Sequence, residues 1–325
     1  MLPSRHRIAA VALVVCALFS AAAAAAEFPT KPMRIVVPIP PGGSADLLVR
    51  VVGSKLQDRL GQPVVVENRA GAGSIVATEF VAHSPPDGHT ILLGFSSIML
   101  MPSIARNLGF DVRKDLAPIT TAVFTPFVLV ANPGLPARSV KEMIAYAKAN
   151  PGKLNVGVTP GTGTLSHLAG EQLKAQTGIS VVFVPYKGST PGLTAVMSGE
   201  IQLFIDVVAS AIPHINSGKV RALAVLSDKR SSVMPQIPTA AESGLPGYDA
   251  NSWMGFFAPG GTPAATISKL QAEISQILFL PDVKEKLVPL GMDPVGDSPE
   301  QFSKAIAAGI EKWGKLIRDN GINIE

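Results

Sequence analysis

Residues 40–46, Pro-Pro-Gly-Gly-Ser-Ala-Asp, bring together the residue types best suited in this chain to gripping an anion. They follow a short apolar run, Ile35, Val36 and Val37. They precede Leu47, Leu48, Val51, Val52, Leu56 and Leu60, which recur at helical spacing. The order is strand, glycine turn, helix. Glycine lets the main chain turn sharply and lets a ligand approach it closely. A helix start adds unpaired N–H groups and a partial positive charge. Together these form a socket for a carboxylate or a similar anion. Its candidate residues are Pro40, Pro41, Gly42, Gly43, Ser44 and Asp46. Ser44 is placed to cap the helix, and a β-carbon at Gly43 is expected to block the ligand or strain a positive φ. The same residues also suit a turn that binds nothing, with Asp46 only favouring the helix dipole. No Gly-Lys-Ser/Thr follows the glycines, so this is not a phosphate-binding Walker loop.

The plan recurs further on. Residues 154–158 read as a strand, and Thr159-Pro160-Gly161-Thr162-Gly163-Thr164 leads into a helix through Leu173. Thr159, Gly161, Thr162, Gly163 and Thr164 are the second set of candidates. Two such sockets in two domains could grip one anion from opposite sides. His167 sits one turn into the second helix, as a ligand contact or as a satisfied structural histidine. Ser96 follows the third strand. Tyr186 and Lys187 lie in the loop after another. Asp206 ends a strand, placed either to touch a ligand or to cap the next helix.

Reactive chemistry is sparse. There is no G-x-S-x-G elbow, no H-E-x-x-H and no cysteine cluster, and the histidines fit no metal-ligand spacing. Gly71-Ala72-Gly73-Ser74 opens like a dinucleotide fingerprint, but Val76 stands where its third glycine belongs. No cofactor and no metal are expected. A hydrolase assembled from distant residues stays open as an alternative, because triads are recognised by geometry.

The elements that must position these residues alternate in type. Strands are expected at residues 35–37, 64–66, 90–93, 154–158, 181–184, 201–205 and 222–226, with helices between them. Such alternation gives an α/β architecture, each domain a mainly parallel sheet flanked by helices, with ligands bound beyond the C-terminal strand ends. Residues 124–131 read as one strand leaving the first domain and residues 253–258 as one returning to it. The expected first domain is therefore 27–127 with 250–325, and the second is 128–249. The two should hinge shut on a ligand held between them. Trp313 is expected to pack the terminal helix onto the first domain.

Residues 1–26 read as a secretory signal peptide. Arg5 and Arg7 form its basic end, residues 8–19 its apolar run, and Ala24-Ala25-Ala26 its cleavage site. Losing those two arginines lowers the formal net charge from +4 to +2. That is too little to argue for nucleic acid or an anionic membrane surface as a partner. Cys16, the single cysteine, lies inside this leader. The expected mature protein is exported to a bacterial periplasm, monomeric, and stabilised by its core alone.

Several long segments carry a resemblance: KPMRIVVPIPPGGSAD, VVVENRAGAGS, PPDGHTILLG, SHLAGE, VPYKGS, GKVRALAV, PQIPTAAESGLPGY and APGGTP. In this order the chain resembles the solute-binding proteins of tripartite tricarboxylate transporters, the Bug family. The resemblance implies a two-domain periplasmic binding fold of type II with two crossover strands. It implies capture of a small organic carboxylate by the main chain of two loops, residues 40–46 and 159–164, with Asp206 lining the cleft. It also implies delivery to membrane permease subunits. The second loop in such proteins is often rich in serine, whereas here it begins Thr159-Pro160. A secreted hydrolase is one alternative. A cytoplasmic effector domain of a transcription regulator is another, disfavoured by the leader.

Overall fold

The computed structural model describes residues 28–104, 108–159, 161 and 163–322. The leader with Cys16, together with Pro160 and Thr162 of the second glycine turn, lies outside the described residues.

Two sheets organise the chain. The first has strand order β11-β4-β10-β3-β1-β2, built from β1 (Met33–Val37), β2 (Val64–Asn68), β3 (Thr90–Phe95), β4 (Leu116–Phe124), β10 (Trp253–Pro259) and β11 (Asp293–Pro294). The second has order β7-β6-β8-β5-β9, from β5 (Phe127–Ala131), β6 (Leu154–Val158), β7 (Val181–Pro185), β8 (Leu203–Val207) and β9 (Arg221–Val225). Each sheet with its helices forms one lobe. β1 pairs in parallel with both β2 and β3, and β6 with both β7 and β8. The remaining pairs are antiparallel and all involve β4, β5 or β10, the strands next to the crossings. The sheets are therefore mixed, with their parallel strands gathered on one side of the connection.

The crossing has more structure than the apolar run at residues 124–131 suggests. β4 ends at Phe124, β5 begins at Phe127, and Thr125-Pro126 lies between them. Thr125 N–H donates to the Ser252 carbonyl at 2.8 Å, tying the outgoing segment to the returning one. β4 itself is hidden in the sequence by Pro118, since proline cannot donate to a ladder. The structure accommodates it at a register shift opposite Phe257.

Interior strands are apolar on both faces, as burial by helices on either side requires. Ile35, Val36, Val37, Ile91, Leu92 and Leu93 are all fully buried. Helix α1 (Ser44–Leu60) covers the first sheet with Leu48, Val49, Val52 and Leu56, while Leu47 stays exposed. In the second lobe, α3 (Val140–Ala149), α4 (Leu165–Thr177), α5 (Ser189–Ser198) and α6 (Val208–Asn216) surround the sheet; α2 (Ile75–Ala82), α7 (Ala264–Leu278) and α8 (Pro281–Leu287) belong to the first.

The terminal helix α9 (Pro299–Asp319) starts in a capping box of Ser298 and Gln301. It buries Phe302, Ile306, Ile310, Trp313 and Ile317 along one face. That face meets β4 of the first lobe and also α4 of the second. Trp313 thus belongs to a core cluster that includes Phe257 and Phe302 from one lobe and Leu165 and Leu168 from the other. The helix does pack onto the first lobe, as expected, and it also reaches the second: α9 is a strap across both lobes.

Candidate functional site

In a parallel sheet the C-terminal strand ends collect the loops that can face a ligand. The C-terminal ends of β1, β3, β6, β7 and β8 point toward the crossing: β3 Phe95 pairs with Met254 at the start of β10, β8 Val207 pairs with Phe127 at the start of β5, and β1, β6 and β7 run parallel to them.

The first turn leaves β1 and enters α1. Its residues Pro40 to Ser44 are exposed. The helix cap is Gly43, at φ −87° and ψ 176°, and no side chain caps it. Ser44 is the first helical residue, not the expected cap. The residue that needs glycine is Gly42, at φ +100°, a region L side chains rarely adopt. Gly43 is extended and a β-carbon there would meet only Ile39 Cδ1 at 3.7 Å, so the strain expected at Gly43 belongs one residue earlier.

Asp46 is also placed differently. Its Oδ2 accepts from Gly42 N–H at 3.2 Å and from Arg50 Nε at 2.8 Å. Its Oδ1 accepts from Asn68 Nδ2 at 3.1 Å, and the same Asn68 group donates to the Ile39 carbonyl at 3.1 Å. Asp46 is buried, and Arg50 holds its carboxyl below the usual range. Expected as a ligand contact, it is instead the pin of its own loop. The N–H groups of Gly43 and Ser44 have no protein partner among the described residues, so they are the donors left to an anion.

The second turn is held by neutral groups. Gly161 sits at φ +142° and Gly163 at φ +75°. Thr164 is the cap of α4, but its hydroxyl donates to the Gly161 carbonyl at 2.7 Å. Ser166 Oγ accepts from Thr159 N–H at 3.0 Å and donates to the Thr159 carbonyl at 2.6 Å. His167 Nδ1 accepts from Gly163 N–H at 3.1 Å. Ser166 was not anticipated; its one sequence signal is a hydroxyl in the first helical turn beside the glycine loop.

Ser96 is buried at the end of β3, with its hydroxyl 3.3 Å from that of Ser252. Thr125 Oγ1 donates to Ser252 Oγ at 3.2 Å. The three hydroxyls join β3 to both crossing segments. Ser252 and Thr125 carried no local signal, because 156 residues separate Ser96 from Ser252.

After β7 the expected pair divides. Tyr186 donates its hydroxyl to Glu200 at 3.1 Å, near the start of β8, and packs edge-on against Phe204. Its contacts here are with its own lobe. Lys187 is exposed, with no ion pair found among the described residues. Asp206, at the end of β8, is 1% exposed. Its Oδ1 accepts from Ser189 Oγ at 2.7 Å while Oδ2 has no partner. Burial pushes its carboxyl up to about 6, against the lowering effect of Ser189 and the Val207 N–H.

One further loop borders the first turn. Gly71, Ala72, Gly73 and Ser74 all have positive φ, including two residues that are not glycine. Left-handed backbone at Ala72 and Ser74 costs about 1–2 kcal/mol each, and such strain concentrates at ligand clamps and switch regions.

A groove of about 870 Å³ lies on the opposite side of the crossing strands, lined by Phe124, Asp249, Trp253, Asp293 and Lys312 among others. None of the expected site residues lines it. There the lobes touch directly. Ser232 N–H and hydroxyl both donate to Asp293, and Lys312 donates to the Asp249 carbonyl. Among the described residues, no hydrogen bond joins the sockets of the two lobes.

Among the described residues no cluster of His, Cys, Asp or Glu could hold a metal, and no helix is long and apolar enough to cross a membrane.

The chain is similar to known proteins. A family model described as "Tripartite tricarboxylate transporter family receptor" matches residues 48–322. Protein BugT of Bordetella pertussis is 38% identical over 318 residues, 96% of each chain. Rpa4515 of R. palustris, solved with adipate, superposes with a TM-score of 0.75 at 34% identity, over 91% of this chain and 99% of that one. MatC (Rpa3494) of Rhodopseudomonas palustris, solved with bound malate, gives 0.71 at 31% identity, over 89% and 100%.

Proposed function

The chain belongs to the tripartite tricarboxylate transporter receptor family, whose members are solute-binding receptors and not enzymes; from that premise we propose that it captures a small organic carboxylate between its lobes in the periplasm and delivers it to the membrane permease of such a transporter. The observation that carries this reading is the pair of glycine turns, one per lobe, each feeding a helix N-terminus. The free N–H groups at Gly43 and Ser44 suit a carboxylate. No arginine enters either turn, so the grip rests on main-chain donors and helix dipoles.

Adipate in one relative and malate in another support a dicarboxylate as the ligand class. The two lobes hinge on Thr125-Pro126 and the segment returning to β10, and they close when the ligand bridges them. Residues 1–26 direct export and are removed.

A thermal-shift screen of the exported protein against adipate, malate, citrate, acidic amino acids and aromatic carboxylates tests the reading. A ligand at a hundredfold over its dissociation constant should add about 2.7 kcal/mol to stability. A folded protein whose melting point no carboxylate raises would refute it.

A further inference from the structure

His167 is almost fully buried, 5% exposed. Its ring lies in a slot built by one motif, Ser166-His167-Leu168-Ala169-Gly170-Glu171. Gly163, four residues earlier, donates its N–H to Nδ1. Glu171, four residues later, places Oε1 3.8 Å from Nε2. His167 and Glu171 share one helix face, because i and i+4 are neighbours, while Gly163 lies in the turn just before the Thr164 cap. Phe183 of β7 packs edge-on against the ring with centroids 5.0 Å apart. It reaches that position because residue 170 is glycine: a β-carbon there would stand 2.3 Å from Phe183 Cε1.

An Nδ1 that accepts a hydrogen bond carries no proton. The ring is therefore neutral, with its proton on Nε2 toward Glu171. Gly163 N–H is spent on the ring and cannot serve an anion. We propose that His167 is the positioning residue of the second socket: its neutral ring holds the turn through Gly163 N–H, and a proton on Nδ1 breaks that bond and releases the turn from its ligand-receiving form. The loop has no second anchor of this kind at Gly163. Thr164 and Ser166 tie down Gly161 and Thr159 instead.

The direction of the pH response follows. Burial keeps the imidazole below its ordinary value of 6.5, Glu171 works against this, and Lys174 adds to it. Both of those charges lie on the helix of His167 itself. β6 and β7 carry no charged residue and β8 carries only Asp206, so the charges that bear on the ring are those of Glu171 and Lys174. The bond is thus intact at neutral pH and fails only in acid, as pH falls through a value below that of a free imidazole. Acid also begins to protonate the second carboxyl of a dicarboxylate, so only the pH dependence that the wild type shows beyond that of a variant unable to protonate at this position is assigned to the ring. A histidine that touched the anion would do the reverse, since an imidazolium attracts a carboxylate and acid would tighten binding.

The inference rests on the proposed carboxylate reading only for its binding arm, and the experiment keeps the two separable. In the first arm, imidazole and amide nitrogen-15 spectra are recorded on the ligand-free protein from about pH 7.5 to 5. His167 should appear as the Nε2–H tautomer, and the Gly163 amide should shift with the same midpoint as the ring. A proton on Nδ1 at pH 7.5, or a Gly163 amide indifferent to the ring, overturns the proposal whatever the ligand is. In the second arm, adipate and malate are titrated calorimetrically. Wild-type affinity should fall by about tenfold on acidification, the scale of one lost hydrogen bond. His167→Asn keeps an acceptor near the Nδ1 position but cannot protonate. It should bind near wild-type strength and keep only the pH dependence of the ligand's own carboxyls, while His167→Ala should bind weakly throughout. Wild-type affinity that rises in acid, or an Asn variant with the wild-type pH loss, overturns the proposal. If neither acid binds wild type, the choice of ligand class fails, and the spectra still decide the role of His167.

Discussion

The two sockets share a backbone plan and differ in what holds them. In the first lobe a buried carboxylate, Asp46, gathers Gly42 N–H, Asn68 and Arg50. In the second, Ser166, Thr164 and a neutral His167 divide the same work among three residues. Both place a side chain of the first helical turn against a turn glycine, so both preorganise the main chain before a ligand arrives. The charged pin answers to a different pH range from the neutral one. Arg50 holds Asp46 below the ordinary aspartate value of 3.8, so its contribution is complete above that pH and fades only as pH falls through a lower value. His167 is neutral and holding at neutral pH and lets go on protonation, below the ordinary imidazole value. Mild acid therefore loosens one jaw of the site and leaves the other set.

The largest expected effect breaks the backbone plan itself. Gly42→Ala places a side chain at φ +100° with empty space around it, so the cost is conformational and not steric, about 1–3 kcal/mol of strain. The turn should escape that strain by abandoning its form, and carboxylate binding should fall at least tenfold by calorimetry. Gly43→Ala, at φ −87°, should bind within a few-fold of wild type. Equal damage at both positions would mean that left-handed geometry is not what the first socket requires.

Asp206 sharpens the contrast between a paired and an unpaired buried acid. With its carboxyl raised to about 6, the folded state holds a proton more tightly than the unfolded chain between 3.8 and 6. Stability then drops as pH rises through that window, and the loss is complete above it. Asp206→Asn removes the charge, and should be more stable than wild type by about 2 kcal/mol at neutral pH, with the gap closing by about pH 4. Thermal unfolding at both pH values checks this. A variant that is less stable than wild type at neutral pH would show that Asp206 caps a helix as a carboxylate.

The smallest effect compares two serines at corresponding places. Ser166→Ala removes both bonds to Thr159 from a side chain 1% exposed and should cost about 1–2 kcal/mol in chemical denaturation. Ser44→Ala, whose hydroxyl caps nothing, should stay within about 0.5 kcal/mol. A reversal of that order would put the cap of the first helix back on Ser44.

Much of this architecture was legible in the chain because its signals are local. Apolar runs such as Ile35 to Val37 gave strands, helical spacing gave α1, and two glycine turns marked where the main chain opens toward a ligand. Local signals failed where a strand breaks its own pattern. β4 contains Pro118, and only pairing with β10, with a register shift there, shows that a strand is present. They also failed where backbone conformation is shared among neighbours, so that Gly42, and not Gly43, took the left-handed angle.

The sequence by itself determined the family, the two glycine sockets and the alternation that puts both at strand ends, since periodicity and turn chemistry act over a few residues. Only the tertiary structure decided what each side chain near the sockets does. Asp46 meets Asn68, Tyr186 meets Glu200, Ser96 meets Ser252, and α9 straps one lobe to the other. Polar side chains carry no local mark of their partner. A carboxylate reads the same whether it will face a ligand, pin a loop like Asp46 or lie half-satisfied like Asp206. Burial and hydrogen-bond partners, set by contacts distant in the chain, make that choice.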